Sequence, residues 1–278
     1  MGLLITTEGN YYSGKTSLNK IISPVLESCG FEIKASREPG GDNDGEKIRK
    51  YIQSRLIKGA SPREIALLVS AARRAHLDNI IIPWLGPDKE QKRIMLLDRY
   101  TDSTLVYQGL EGGLQTDEIL FLEKLTVGKM TPDLTFILYI PEEKFQTIFP
   151  ARKSIADEMR EKNPNFAIWD KYDIQTQILR QRMYLSLPEL YQQMGIRRNF
   201  AVIDASLSPV DVATEAFRAL NPFLERIEDP KREPESRLQD ILVQLNHFRE
   251  NGGMNEVETN WTRQTSLEFT LCRKKEVR

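Results

Sequence analysis

Gly9-Asn10-Tyr11-Tyr12-Ser13-Gly14-Lys15-Thr16 follows the β-rich run Leu3-Leu4-Ile5-Thr6-Thr7 and precedes a helical pattern at Leu18, Ile21, Ile22, Val25 and Leu26. A strand that breaks at glycine and restarts as a helix at Gly-Lys-Thr is the sequence form of a phosphate-binding loop. Glycine is needed where the backbone turns sharply enough for successive N–H groups to converge on phosphate oxygens. The partial positive charge at the helix N-terminus adds to that field. Lys15 has the reach for β- and γ-phosphates, and the Thr16 hydroxyl is a ligand type suited to Mg²⁺. Gly9, Asn10, Tyr11, Tyr12, Ser13, Gly14, Lys15, Thr16 and Ser17 are the candidate nucleotide-binding residues.

Outward from this loop the strand–helix alternation repeats. Strand patterns recur at 31–36, 94–97, 134–140 and 201–203, and helical patterns at 44–57, 61–82 and 209–220. Ser61-Pro62-Arg63-Glu64 carries a Ser cap, Pro at the first helical position and Glu at the third, and Pro83 is expected to disturb that helix. Five strands separated by helices imply parallel pairing through right-handed crossovers, hence an α/β fold with three layers (α/β/α) around a five-stranded parallel sheet. Ligands of such sheets sit beyond the carboxyl ends of the strands. Glu8-Gly9, Arg37-Glu38-Pro39 and Asp98-Arg99 all fall at such ends. Asp98, closing the apolar run Ile94-Met95-Leu96-Leu97, is the candidate second metal group beside Thr16. Arg99 can take a phosphate bidentately.

At 278 residues, with 40% hydrophobic and 28% charged content, the chain suits one large domain with an appendage. A net charge of −1 gives no global field toward nucleic acid or a membrane surface, so neither is expected as a partner. The two cysteines, Cys29 and Cys272, have no ligand-type spacing and read as free thiols in a reducing compartment. With no basic leader and no membrane-length apolar run, a cytoplasmic location is expected. Composition shifts after Phe223: 225–237 is charged and reads as a linker. Leu238, Ile241, Leu242, Leu245 and Phe248 form a helical stripe ended by Gly252-Gly253, and 254–278 is polar and poorly patterned. The expected division is a working domain over 1–222 and an appendage over 223–278.

Glu8-Gly9 with its loop, Arg37-Glu38-Pro39-Gly40-Gly41, Asp98-Arg99-Tyr100 and the run from Ser103 to Tyr107-Gln108-Gly109 resemble the thymidylate kinase family in order and spacing. The likeness continues through Ala71-Ala72-Arg73, Ile82-Pro83-Trp84-Leu85, Pro132-Asp133-Leu134-Thr135 and Ile203-Asp204-Ala205. It implies a P-loop NTPase fold with a helical lid near 146–175, ATP and Mg²⁺ as cofactors, and phosphoryl transfer to a deoxynucleoside monophosphate, normally dTMP giving dTDP. It implies catalytic duties for Lys15, Asp98, Arg99 and Arg152, with Thr16 and Asp98 serving the metal. Arg99, with Arg37 nearby, would hold the acceptor's 5′-phosphate. Arg73 and Thr104 would meet the base, Tyr107 the deoxyribose, and Gln108 would complete the pocket. Arg152, Lys153, Arg160 and Lys162 fall where the family has its lid, Asp170-Lys171-Tyr172-Asp173 follows, and Arg180 and Arg182 come next on a helix. The resemblance also implies a homodimer.

The sequence departs from the family at three places. Tyr11 stands where relatives usually carry an acidic residue, Tyr12 where glycine or arginine is common, and Val69 about where an aromatic would stack on thymine. Tyr11 and Tyr12 are expected to face the acceptor. These changes spare phosphate handling and leave the acceptor base open between dTMP and another deoxynucleotide. A catalytically weak nucleotide-binding module acting through its C-terminal helix is the third alternative.

Overall fold

β1 (Leu3–Gly9) is buried along its whole length, which places it at the centre of the sheet. It pairs in parallel with β3 (Arg93–Asp98) on one side and β4 (Leu134–Tyr139) on the other. β2 (Glu32–Arg37) and β5 (Phe200–Asp204) flank these, giving the order β2-β3-β1-β4-β5 in a five-stranded sheet. The computed structural model describes residues 2–86, 92–161, 173–228 and 232–261, with backbone alone over 155–161. The register sets Thr7 opposite Asp98 and Arg37 opposite Asp98, so the polar strand ends share one edge.

Alternation along the strands divides the core between two faces. Leu3, Ile5, Phe136 and Leu138 pack on α1 (Lys15–Ser28) and α9 (Pro209–Leu224). On the other face Leu4 and Leu97 meet Leu77 and Ile81, while Ile137 meets Leu105, Tyr184 and Leu187. That second face is covered by α3 (Pro62–His76), α4 (Ile82–Leu85), α5 (Thr101–Thr104), α6 (Thr116–Val127) and α8 (Ile174–Gln193). α2 (Asn43–Ile57) packs on α3 through Ile52, Ile65 and Val69, and α7 (Glu142–Glu161) follows β4. Among the described residues no helix is long and apolar enough to cross a membrane.

Ser61 caps α3 as its sequence predicts, accepting from the Glu64 N–H at 3.2 Å. Pro83 does not end the helix that follows. α3 passes through a π turn at Leu77–Ile81 into the four-residue α4, with Pro83 in its first turn.

Two charged side chains of the stretch after α9 turn inward. Glu228 and Arg237 are buried and joined at 2.6 Å, and Arg237 also donates to Asn221 O at 2.9 Å. These bonds tie α9 to α10 (Pro234–Glu250), whose predicted stripe lies on the core through Ile241 and Leu245. Residues 255–261 are helical where no pattern was expected, and Met254 before them is fully buried. Lys162, Phe166, Trp169, Asp170-Lys171-Tyr172 and the tail beyond 261 lie outside the described residues.

Candidate active site

One cleft of about 1670 Å³ runs along the carboxyl edge of the sheet. Tyr11 to Ser17, Arg37, Arg73, Asp98, Arg99, Thr104, Tyr107, Gln108 and Arg152 all line it. Gly9 and Asn10 lie beneath: a Cβ on Gly9 (φ 131°) would stand 2.3 Å from Leu138 O, and Asn10 Nδ2 donates to Gln177 O at 2.6 Å. The fold therefore brings to the phosphate loop arginines as far along the chain as Arg99, which follows the strand paired with β1.

Within the loop, Gly14 (φ 96°) starts α1. Lys15 Nζ folds back over the loop, donating to Asn10 O at 2.6 Å and Gly9 O at 3.2 Å. Thr16 Oγ1 donates to Asp98 Oδ2 at 2.9 Å, so the two candidate metal groups are in contact. Ser13 Oγ is buried with no hydrogen-bond partner. Positively φ-turned glycine, a lysine, an orphaned hydroxyl and a Thr–Asp pair fit a bound triphosphate with a divalent cation.

Arg99 occupies left-handed backbone (φ 72°), an arrangement a non-glycine residue holds only when its surroundings impose it. Its guanidinium lies between the rings of Tyr11 and Tyr107, 5.0 and 5.4 Å from their centroids. Nη1 donates to Tyr184 Oη at 2.7 Å and Ser103 Oγ at 3.1 Å, while Nη2 is buried without a partner. An unsatisfied buried guanidinium N–H at a cleft wall is suited to an anion. Arg37 lies nearby, half-exposed and bonded to Glu46 at 3.1 Å.

Arg49 of α2 also lines this cleft, donating to Pro39 O at 2.8 Å, and sequence reasoning missed it. Burial first, then the neighbouring Arg37 charge, holds its pKa below the ordinary value, as expected where cations gather for an anion. α2 carries charge at Asp44, Glu46, Lys47, Arg49, Lys50 and Arg55, around most of its circumference, which hides one inward arginine.

Arg73 and Thr104 do come together, with Arg73 Nη2 donating to Thr104 Oγ1 at 3.1 Å. Arg73 Nε also donates to Glu38 Oε2 at 2.6 Å, inside a buried ion pair. Glu38 contacts His76 Nδ1 at 3.2 Å through its other oxygen.

Tyr12 does not face this arginine group. Its ring packs on Phe149 of α7, 5.4 Å between centroids, and its carbonyl accepts from Arg152 Nη1 at 3.0 Å. Tyr11 turns its ring toward Arg99, with the Tyr12 ring 6.3 Å from it on the side of Phe149. Val69 sits on the cleft wall among Ile52 and Ile65. Arg152 also reaches Ala205 O after β5, tying α7 to the phosphate loop and to the end of the sheet. Arg180 is paired with Glu111 at 2.7 Å and Arg182 with Glu142 at 2.6 Å. Arg180 further lies 4.5 Å from the Tyr107 ring, and Asp173 caps α8.

Glu8, at the foot of the loop, accepts from the Tyr100 N–H at 2.7 Å and from Ser103 Oγ at 2.6 Å. Burial, and then the Asp102 charge, raise its pKa from 4.5 to about 7. The folded chain thus holds this proton more tightly than the unfolded chain. Its contribution, roughly 3 kcal/mol, is present below the ordinary carboxyl range and is lost as pH rises toward 7. Melting curves from about pH 4.5 to about pH 7 should show Glu8→Gln gaining on the wild type as pH rises. A constant difference would refute this.

A parallel sheet with a glycine-lysine-threonine loop at its central strand, an aspartate on the neighbouring strand and converging arginines defines a P-loop nucleotide-binding phosphotransferase. The sequence model described as Thymidylate kinase matches residues 7–215. The thymidylate kinase of Bacillus velezensis is 33% identical over 230 residues, covering 82% of this chain and 99% of that protein. The thymidylate kinases of Staphylococcus haemolyticus (34% over 227 residues; 81% and 100%) and Mesoplasma florum (33% over 231 residues; 83% and 99%) are similar. The chain belongs to the thymidylate kinase family.

Proposed function

We propose that this enzyme transfers the γ-phosphoryl group of ATP to dTMP, giving dTDP and ADP. The observation that carries the reading is the single cleft in which the phosphate loop and the Arg37–Arg49–Arg99 group stand side by side. Two anionic nucleotides repel each other, and transfer between them needs positioning and charge compensation more than covalent work from the protein. Lys15 and the loop N–H groups would hold the donor's phosphates. Arg99, through its unpartnered Nη2, would orient the acceptor's phosphate with Arg37 and Arg49 beside it. Thr16 and Asp98 would hold Mg²⁺, which when bound supplies charge neutralisation on the donor's phosphates. Arg152, anchored to the loop carbonyl of Tyr12, is placed to add positive charge where the phosphates meet.

At the far end of the pocket, Arg73, Thr104 and Gln108 would meet the base, and the Tyr107 ring would back the sugar. Val69 offers an aliphatic surface in place of an aromatic platform. An ADP-release assay over dTMP, dUMP, dCMP and dGMP tests the reading, with dTMP expected to give the highest kcat/KM. A higher value for any other monophosphate overturns the acceptor assignment.

The exposed apolar side chains Leu67 of α3 with Phe121 and Leu125 of α6 support a homodimer through that face. Light scattering should give twice the chain mass for the wild type and one chain mass for Leu125→Glu. A wild-type protein of one chain mass would refute it.

A further inference from the structure

The chain beyond residue 215 lies outside the family match, yet part of it returns to the cleft. After α10 the backbone reverses at Gly252 (φ 76°) and Gly253, where a Cβ on Gly253 would stand 2.2 Å from the Phe248 ring. Met254, Val257 and Trp261 then recur at the spacing of one helix face. Met254 is fully buried and Val257 packs on the same core as α1. Glu256 is joined to Lys20 of α1 at 3.0 Å, and Glu258 to Arg249 of α10 at 3.0 Å. The segment is thereby held along α1, the helix that begins at the phosphate loop.

Val257, Asn260 and Trp261 line the same cleft as Lys15 and Thr16. Leu207, Pro209 and Val212, which follow β5, line it too, and Val257 shares one apolar cluster with Val212. The cleft also holds Arg37, Arg49, Arg73 and Arg99. With the donor's phosphates on the loop and a monophosphate on those arginines, the donor's base has to extend toward the aliphatic side chains. An indole and aliphatic side chains lining one cleft offer apolar surface suited to a purine ring. The Trp261 Nε1 is buried with no hydrogen-bond partner.

We propose that residues 254–261 form the outer wall of the donor-base pocket, with the Trp261 indole against the purine ring of the triphosphate. The assignment rests on the phosphotransferase reading above for the direction in which the donor lies. It makes the appendage part of the donor site, joining it to the family's domain through the ligand as well as through the core.

Calorimetric titration of full-length protein with a non-hydrolysable ATP analogue, with inorganic tripolyphosphate and with dTMP tests it. Trp261→Ala should raise the Kd of the analogue about tenfold, the scale of one lost base–aromatic stack. Tripolyphosphate, which has no base, and dTMP should change by less than about twofold. Trp261→Phe keeps a ring and should hold the analogue within about threefold of wild type. An unchanged analogue Kd in Trp261→Ala overturns the proposal, and so does equal weakening of all three ligands. Turnover of dTMP by the wild type separately decides the functional reading, so the two can fail independently.

Discussion

Lys15→Met is expected to lower kcat by about a thousandfold while the protein stays folded, the scale of deleting one preorganised donor to transition-state charge. Methionine matches the lysine stem in length and fills its buried volume, so the loop keeps its packing. What is lost is the ammonium, which now donates to the carbonyls of Asn10 and Gly9 and is placed to reach the donor's phosphates. Those two carbonyls belong to buried residues and lose a charged donor, so a stability cost of about 1–3 kcal/mol is expected alongside the kinetic loss. Coupled-assay kcat at saturating ATP and dTMP, with a melting curve alongside, separates the two effects. A kcat within about tenfold of wild type would remove Lys15 from the catalytic machinery.

Arg73→Leu should act on the fold and on the acceptor together. Arg73 and Glu38 have side chains 3% and 1% exposed, so removing the guanidinium leaves a buried carboxylate facing only His76. Breaking one side of a buried pair costs about 3–5 kcal/mol, which in a chain of this size lowers Tm by roughly 10 °C. Adding Glu38→Gln should restore much of that stability, because the uncompensated charge is then gone. The double variant should still show a raised KM for dTMP, since Arg73 also carries the contact with Thr104. A stability loss of under about 1 kcal/mol in the single variant would contradict the pairing.

The Arg73–Glu38–His76 cluster shows why part of the site was hidden in the chain. Glu38 and Arg73 are individually visible as polar residues near a strand end and on a helix, but their pairing spans 35 residues. No local pattern encodes a partner at that distance. Arg49 was hidden differently: on a helix with charge on most faces, periodicity does not mark the one side chain that turns inward. Tyr12 was assigned to the wrong neighbour because a loop's side-chain directions depend on its φ angles, and at Tyr12 φ is 62°.

The sequence by itself determined the elements whose cause is local. Glycines in the loop, the all-apolar runs of the buried strands, the Ser61 cap and the stripe of α10 each declare themselves within a few residues, because backbone geometry and side-chain periodicity act over that range. Parallel pairing of five strands followed from the alternation with helices, whereas the order β2-β3-β1-β4-β5 was set by the assembled sheet. Tertiary structure alone decided which polar groups meet. It set Thr16 against Asp98, placed Arg49 beside Arg37, and turned Tyr12 onto Phe149. It also brought a segment near residue 260 to the loop at residue 15, since burial of Met254 and Val257 is a property of the assembled core and of no stretch of chain taken alone.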